Sequence, residues 1–221
     1  MGKKQVSETI FLGVLLAMSG GLMDTYSYLF REQVFANAQT GNILLFSVNL
    51  AQGNWQTSLR YLCPILAFAT GIALAAVIRH LYREHPVMHW RQVCLLLESI
   101  ILFSTAFMGQ ELNLLANSLI SLACGAQVES FRKIEGSSVA TTMCIGNLRL
   151  AIHSIVEYRF TSLKEEYKSA VVAATMIVSF AVGSVVGSVL IKAVGAYAIW
   201  ASCLLLFISF YLMFSGKGER S

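Results

Sequence analysis

The chain has 221 residues, 56% of them hydrophobic and only 13% charged, with a mean hydropathy of +0.65. Soluble domains carry about 25% charge, so this composition excludes an ordinary soluble globule and makes lipid the matching solvent. The net charge of +4 lies in short basic clusters between apolar runs, which argues against a nucleic-acid binder and matches the loops of a membrane protein.

A helix needs about 20 mostly apolar residues to cross a hydrocarbon core of about 30 Å. The first such segment is 10–30. Its basic lead, Lys3-Lys4, is that of a signal peptide, but the apolar run continues past Ser19-Gly20-Gly21 and reads as a span. Segment 34–50 opens with Asn37, Gln39, Thr40, Gly41 and Asn42, and only 43–48 is strongly apolar. Segment 62–81 is the next span, followed by a basic loop with Arg83, His85, Pro86, His89 and Arg91. Then come 93–109, interrupted by Glu98, and 112–131, which carries Gln127 and Glu129 near its end. Segment 138–158 is again polar, with Thr141, Thr142, Gly146, Asn147, Arg149 and His153. Spans 170–191 and 196–214 follow. Polar or broken backbone at membrane depth is tolerated only against protein or a water-filled cavity. Segments 34–50 and 138–158 are therefore expected to be re-entrant half-helices.

A shift of 105 residues brings these two polar segments into register. Gly20 falls on Gly125, Asp24 on Glu129, Tyr26 on Phe131, Val34 on Val139, and Gly41-Asn42 on Gly146-Asn147. With seven further residues, Phe68-Ala-Thr-Gly71 meets Phe180-Ala-Val-Gly183, and Ala75 meets Gly187. The expected organisation is two repeats, 1–109 and 110–221, each with three spans and one half-helix. An odd number of crossings inverts the second copy, the plan of many secondary transporters. The fold class is thus an all-α integral membrane protein with six transmembrane helices, two re-entrant helices and an inverted 3+3 repeat.

Loop charge tests the count. With six spans and the N-terminus inside, 13 Lys and Arg lie inside and 3 outside. If both polar segments crossed, the same rule would fail in either orientation. The expected location is the bacterial cytoplasmic (inner) membrane, with both termini cytoplasmic.

Asp24 and Glu129 are the leading candidates for chemistry. A carboxylate at membrane depth is costly and is usually paired, protonated or functional. The repeat would set them near its pseudo-symmetry axis, as a proton- or cation-coupling pair; a salt bridge of Glu129 to Arg132 or Arg149 is the structural alternative. Gly41 and Gly146 permit helix breaks. Asn42 and Asn147 cap freed backbone groups or bind solute. Asn37, Gln39, Thr40, Thr141, Thr142 and Gln127 would line the same place, where half-helix N-termini present N–H groups to a ligand. Arg149 would add a cation for an anionic solute, or anchor the cytoplasmic edge. Glu98 is either a third buried acid or exposed at the membrane edge. The small-residue patterns Gly71-x-x-x-Ala75 and Gly183-x-x-x-Gly187 read as helix packing, either where the two halves meet or where a dimer forms.

The cysteines Cys63, Cys94, Cys124, Cys144 and Cys203 show neither CxxC nor zinc spacing and read as packed free thiols. His85 and His89, separated by Pro86, lack further ligands for a metal. No phosphate-binding, dinucleotide, metalloprotease or hydrolase motif occurs. No metal, cofactor or enzymatic activity is expected.

Gly21-Leu-Met-Asp24-x-x-Ser27 followed by Val34-Phe35-x-Asn37-x-x-Thr40-Gly41-Asn42 resembles the signature of the YoaK-type bacterial membrane proteins. Val139-Ala-Thr-Thr142 and Gly146-Asn147-Leu-Arg149 also fit, and the resemblance covers nearly the whole chain. Ile145 departs from it, standing where the family pattern has threonine. The family is a domain of unknown function, so the resemblance implies kinship and no substrate.

The expected function is a secondary transporter of a small charged solute, with a central site at the repeat interface and coupling through Asp24 and Glu129. A channel of the same architecture, or an enzyme acting on a membrane lipid, are the alternatives. The partners are the bilayer and a small molecule or ion. The size of a six-span chain also allows a homodimer.

Overall fold

In a computed structural model that describes residues 9–82 and 88–215, the chain is helical throughout, apart from one isolated bridge between Ile134 and Ser137. The helices are α1 (Ile10–Phe30), α2 (Gln39–Ala51), α3 (Trp55–Leu81), α4 (Trp90–Thr105), α5 (Asn113–Ser130), α6 (Cys144–Thr161), α7 (Lys164–Val194) and α8 (Trp200–Ser215). Among the described residues, three helical stretches are long and apolar enough to cross a membrane by length and composition: Ile10–Phe30, Trp55–Leu81 and the run Lys164–Phe214 that holds α7 and α8. Lys3, Lys4, Arg83, His85, Pro86, Lys217 and Arg220 lie outside the described residues.

The helices overrun the apolar windows where polar residues can continue a turn beyond the hydrocarbon. α7 starts at Lys164, with Glu165 and Glu166 in its first turn and Lys192 in its last, charges placed to complement the helix dipole. α3 starts at Trp55 and passes through Pro64; proline removes one backbone donor there, which neighbouring helices make tolerable in a membrane. Of the two expected half-helices only α2 is short; α6 has 18 residues, more than α4 or α8 with 16 each. α2 has 13 residues, a length of about 20 Å at 1.5 Å per residue, too short to span. Gly53, at φ +75°, supplies the left-handed turn from α2 into α3.

Two close crossings organise the bundle. On α1 and α7, a Cβ on Gly21 would run into the carbonyl of Phe180, and one on Gly183 would run into the carbonyl of Met18. On α3 and α5, Gly71 sits against the Leu122 carbonyl and Gly125 against that of Phe68. In both pairs backbone meets backbone through glycine, so the small-residue patterns do mark packing sites, and each crossing joins a helix from 1–109 to one from 110–221.

The contacts also fix helix directions. Gly13 lies against Met176, Met18 against Gly183 and Leu22 against Gly187, so α1 and α7 run the same way. Phe103 stacks on Trp200 at 5.3 Å, and Cys203 reaches the Ser99 carbonyl, so α4 and α8 run in opposite directions. The main core of Leu12, Leu16, Leu22, Met23, Tyr26, Leu95, Leu102, Ile120 and Leu206 lies among α1, α4, α5 and α8. Leu66, Val185, Phe160 and Phe207 are among many large apolar side chains left on the outside, the surface a lipid solvent would cover.

Candidate functional site

The loop that enters each half-helix is closed by one asparagine. Asn42 accepts from the Phe35 N–H (3.1 Å) and donates to the Phe35 carbonyl (2.7 Å). Asn147 accepts from the Ala140 N–H (3.2 Å) and donates to the Ala140 carbonyl (2.7 Å). Phe35 and Ala140 are related by the same 105-residue shift as the asparagines. An amide is suited to this, since it offers a donor and an acceptor side by side. Both asparagines are buried and serve the backbone, and neither faces a cavity.

The two loops deliver the starts of α2 and α6 to one cavity of about 830 Å³. Ala38, Gln39 and Thr40 come from the first loop and Thr142, Met143, Cys144 and Ile145 from the second. α1 contributes Asp24, Thr25 and Tyr28, and α7 contributes Phe180, Ser184 and Ser188. Neither α2 nor α6 has a side-chain N-cap; at the start of α2 the Gln39 and Gly41 N–H groups donate instead to the Asn37 and Ala38 carbonyls. Gly20 is the pivot: Asn37 donates to its carbonyl (3.2 Å), and the Thr142 methyl occupies the space a Cβ there would need. Asp24 is buried and its Oδ1 accepts the Asn37 N–H at 2.7 Å. The Asn37 Oδ1 and the Thr142 Oγ1 are buried without a hydrogen-bond partner among the described residues. Tyr28 and Phe35 stack at 4.9 Å on the wall. The walls are otherwise largely apolar, with Asp24, Asn37, Gln39, Thr40, Thr142 and Ser184 among their polar residues, beside the starts of two helices.

The remaining expected residues lie elsewhere. Gln127 is fully buried and donates to the Leu16 carbonyl and to Thr141 Oγ1, both at 3.1 Å, pinning the second loop to α1. Gly41 packs against the Phe35 ring, while Gly146 faces open space. Arg149 is exposed on α6 and lines neither cavity. Glu129 does not join Asp24. It pairs with Arg132 at 3.3 Å and lines a second cavity, at the C-terminal ends of α3 and α5. The symmetry of the repeat fails here because Asp24 holds the loop backbone, whereas Glu129 is drawn to a cation three residues along its own chain.

A family model described as "Protein of unknown function (DUF1275)" matches residues 12–212. The chain belongs to that family. It is similar to the UPF0700 transmembrane protein YoaK of Bacillus subtilis (strain 168), with 22% identity over 202 residues, covering 87% of this chain and 88% of the relative. No solved structure matches it. The resemblance read from the two signatures is thus a family membership, and the relative is a membrane protein by name.

In this DUF1275 protein two charges are fully buried, one of them missed in the sequence. Arg31, which the loop count places outside with Arg60 and Lys192, is fully buried. Its guanidinium donates to Tyr26 Oη, Asn113 Oδ1 and the carbonyls of Thr105, Met108 and Gly109, with its flat face 5.1 Å from the centre of the Phe30 ring. The signal that was available is local: Tyr26 and Phe30 precede Arg31 on the same helix. Glu98 is 1% exposed, and neither carboxyl oxygen has a partner among the described residues; of the two readings open for it, the buried one holds. No group of three or more His, Cys, Asp or Glu side chains forms a metal site among the described residues. His89 instead caps α4 through an acceptor bond from Arg91 N.

Proposed function

We propose that this protein is a secondary carrier of the bacterial cytoplasmic membrane and binds a small solute in the cavity between α1, α2, α6 and α7. One observation carries the reading: two helices from different halves of the chain, α2 of 13 residues and α6 of 18, begin at the same cavity, beside the buried carboxylate of Asp24. Broken or short helices whose N-termini meet at a repeat interface are where carriers hold their substrates. Unpartnered polar atoms of Asn37 and Thr142 at the same place are groups a solute would satisfy.

The helix directions support six crossings. α1 runs parallel to α7, and α4 runs antiparallel to α8. If α1, α3, α4, α5, α7 and α8 each cross once, both relations hold together only when α2 and α6 enter and leave on one side. The matched asparagine closures support an inverted repeat. Coupling, in this reading, belongs to Asp24 alone, since Glu129 lines another cavity.

The test is counterflow in liposomes with a panel of small cations, anions and amphipathic metabolites. Wild-type protein should give saturable, counterflow-competent uptake of a solute, and Asp24→Asn, monodisperse by gel filtration, should lose it. Flux that is ohmic and without counterflow would make the protein a channel. No flux across the panel would remove the carrier reading.

A further inference from the structure

The cavity between α1, α2, α6 and α7 holds a carboxylate with no cationic side chain to balance it. Among the described residues that line it, Asp24 is the sole charged group. Arg149, the cation that an anionic solute would need, is exposed on α6 and does not line it. A buried charge is ordinarily paired. Asp24 is 8% exposed, its Oδ1 accepts the Asn37 N–H at 2.7 Å, and the Ala36 and Ala38 N–H groups also donate to the carboxylate. Backbone donors hold an anion in place but bring no full opposite charge, so the counter-ion of Asp24 is left for the solute.

The helix starts do not reverse this sign. A helix N-terminus favours an anion with about half a positive charge. At α2 the anion is already present, because Asp24 is tied to the loop that enters the helix, and the Gln39 and Gly41 N–H groups donate to loop carbonyls. A solute anion would meet the Asp24 carboxylate with only the half charge of α6 to offset it. Nor does the cavity suit a bare metal ion, which takes several oxygen ligands or a cluster of protein side chains; no group of three or more His, Cys, Asp or Glu forms such a site among the described residues. Its volume of about 830 Å³ is that of a site for a small organic molecule. Tyr28, Phe35, Phe68 and Phe180 line it, and aromatic rings attract an organic cation stripped of water. A second observation points to a ligand: Thr142 is 5% exposed, lines the cavity, and its Oγ1 has no partner among the described residues. That oxygen is an acceptor for an ammonium N–H.

We propose that the solute of this cavity is an organic cation, a protonated amine on an apolar or aromatic body. The ammonium pairs with Asp24 and donates to Thr142 Oγ1, and the body lies against the aromatic wall. The inference rests on the reading of this cavity as the carrier's solute site and adds the substrate class to it.

The test is thermal unfolding of the full chain in non-ionic detergent at constant ionic strength, so that general screening is held fixed. Three probes of similar shape and different charge are titrated: phenethylammonium, phenethyl alcohol and phenylacetate. A ligand specific to the folded state raises the melting temperature saturably. Phenethylammonium should do so by several degrees, and the alcohol and the anion should not. Asp24→Asn keeps an oxygen for the Asn37 N–H and removes the charge, so it should fold and weaken the phenethylammonium midpoint by about tenfold or more. Ser188→Lys leaves Asp24 and its loop intact and adds a cation among the lining residues; it should weaken the midpoint as well. The proposal is overturned if phenethylammonium gives no saturable shift, if either other probe matches it, or if both variants keep the wild-type midpoint. Counterflow separates this outcome from the fate of the carrier reading. Flux of an anion or a neutral solute, with none of the cation, refutes the organic cation and leaves the carrier. Binding of phenethylammonium without flux of any solute refutes the carrier and leaves the cation site.

Discussion

Replacing Arg31 with methionine tests whether its oxygen cage is a principal fastening of the bundle. The guanidinium satisfies five oxygen atoms, three of them carbonyls in the turn between α4 and α5. In Arg31→Met the Tyr26 Oη, Asn113 Oδ1 and Met108 carbonyl lose this donor, at about 1–3 kcal/mol for each acceptor that stays dry, while the Thr105 and Gly109 carbonyls keep the N–H groups of Met108 and Leu112. Removing the buried cation also removes its own desolvation cost, so the net loss is expected near about 3–5 kcal/mol, the usual size for breaking a buried charged arrangement. For a chain of this length, about 1 kcal/mol shifts the melting temperature by roughly 2–4 °C. The variant should therefore melt roughly 6–20 °C lower on the same scaling. Arg31→Lys should fall between, because an ammonium has three donors for five oxygens. Tryptophan fluorescence during heating is the assay, with Trp200 as a local reporter since it packs on Phe103 of α4. Melting of Arg31→Met within about 2 °C of wild type, less than about 1 kcal/mol, would show that the cage contributes little.

Gly21→Ala should destabilise by about 1–3 kcal/mol, because its methyl meets a backbone carbonyl that cannot rotate away. Gly146→Ala should instead stabilise by about 0.5–1 kcal/mol, since the space there is open and alanine is the better helix former; equal melting temperatures for the two variants would contradict the crossing. Asn42→Ala and Asn147→Ala should each cost about 1–3 kcal/mol and match one another, and a loss confined to one of them in thermal unfolding would argue against equivalent closures. Glu98→Met, which removes two unpartnered oxygens at similar volume, should melt at or above the wild-type temperature. A drop worth more than about 1 kcal/mol would mean that Glu98 is hydrogen-bonded, by water or otherwise.

Much of the architecture was legible because it rests on chain-local signals. Apolar windows located the long helices, and the polar openings at Asn37 and Thr141 located the loops that enter α2 and α6. The paired Gly-Asn steps found the two asparagine closures without revealing that they serve backbone rather than ligand. The candidate cavity was legible in part: Asp24, Asn37, Gln39, Thr40 and Thr142 line it, whereas its aromatic walls, Tyr28 and Phe180, look in sequence like any lipid-facing ring. Arg31 was misjudged because its burial is made by carbonyls 74, 77 and 78 residues away, which no hydropathy window senses. Asp24 and Glu129 parted because a repeat in sequence preserves position, while the partner each acid takes depends on neighbours the repeat does not copy.

The α1–α7 crossing has a consequence for the protein's synthesis. Ser184 hydrogen-bonds the Gly21 carbonyl across a separation of 163 residues. At roughly 5–20 residues per second, the ribosome needs about 8–33 s to travel that distance. For that interval α1 resides in the bilayer with its glycine face bare and its loop cavity half built. Five helices, α2 to α6, are thus made between α1 and the neighbour it packs against. A membrane-embedded chaperone that shields small-residue surfaces would find its longest-lived client in α1.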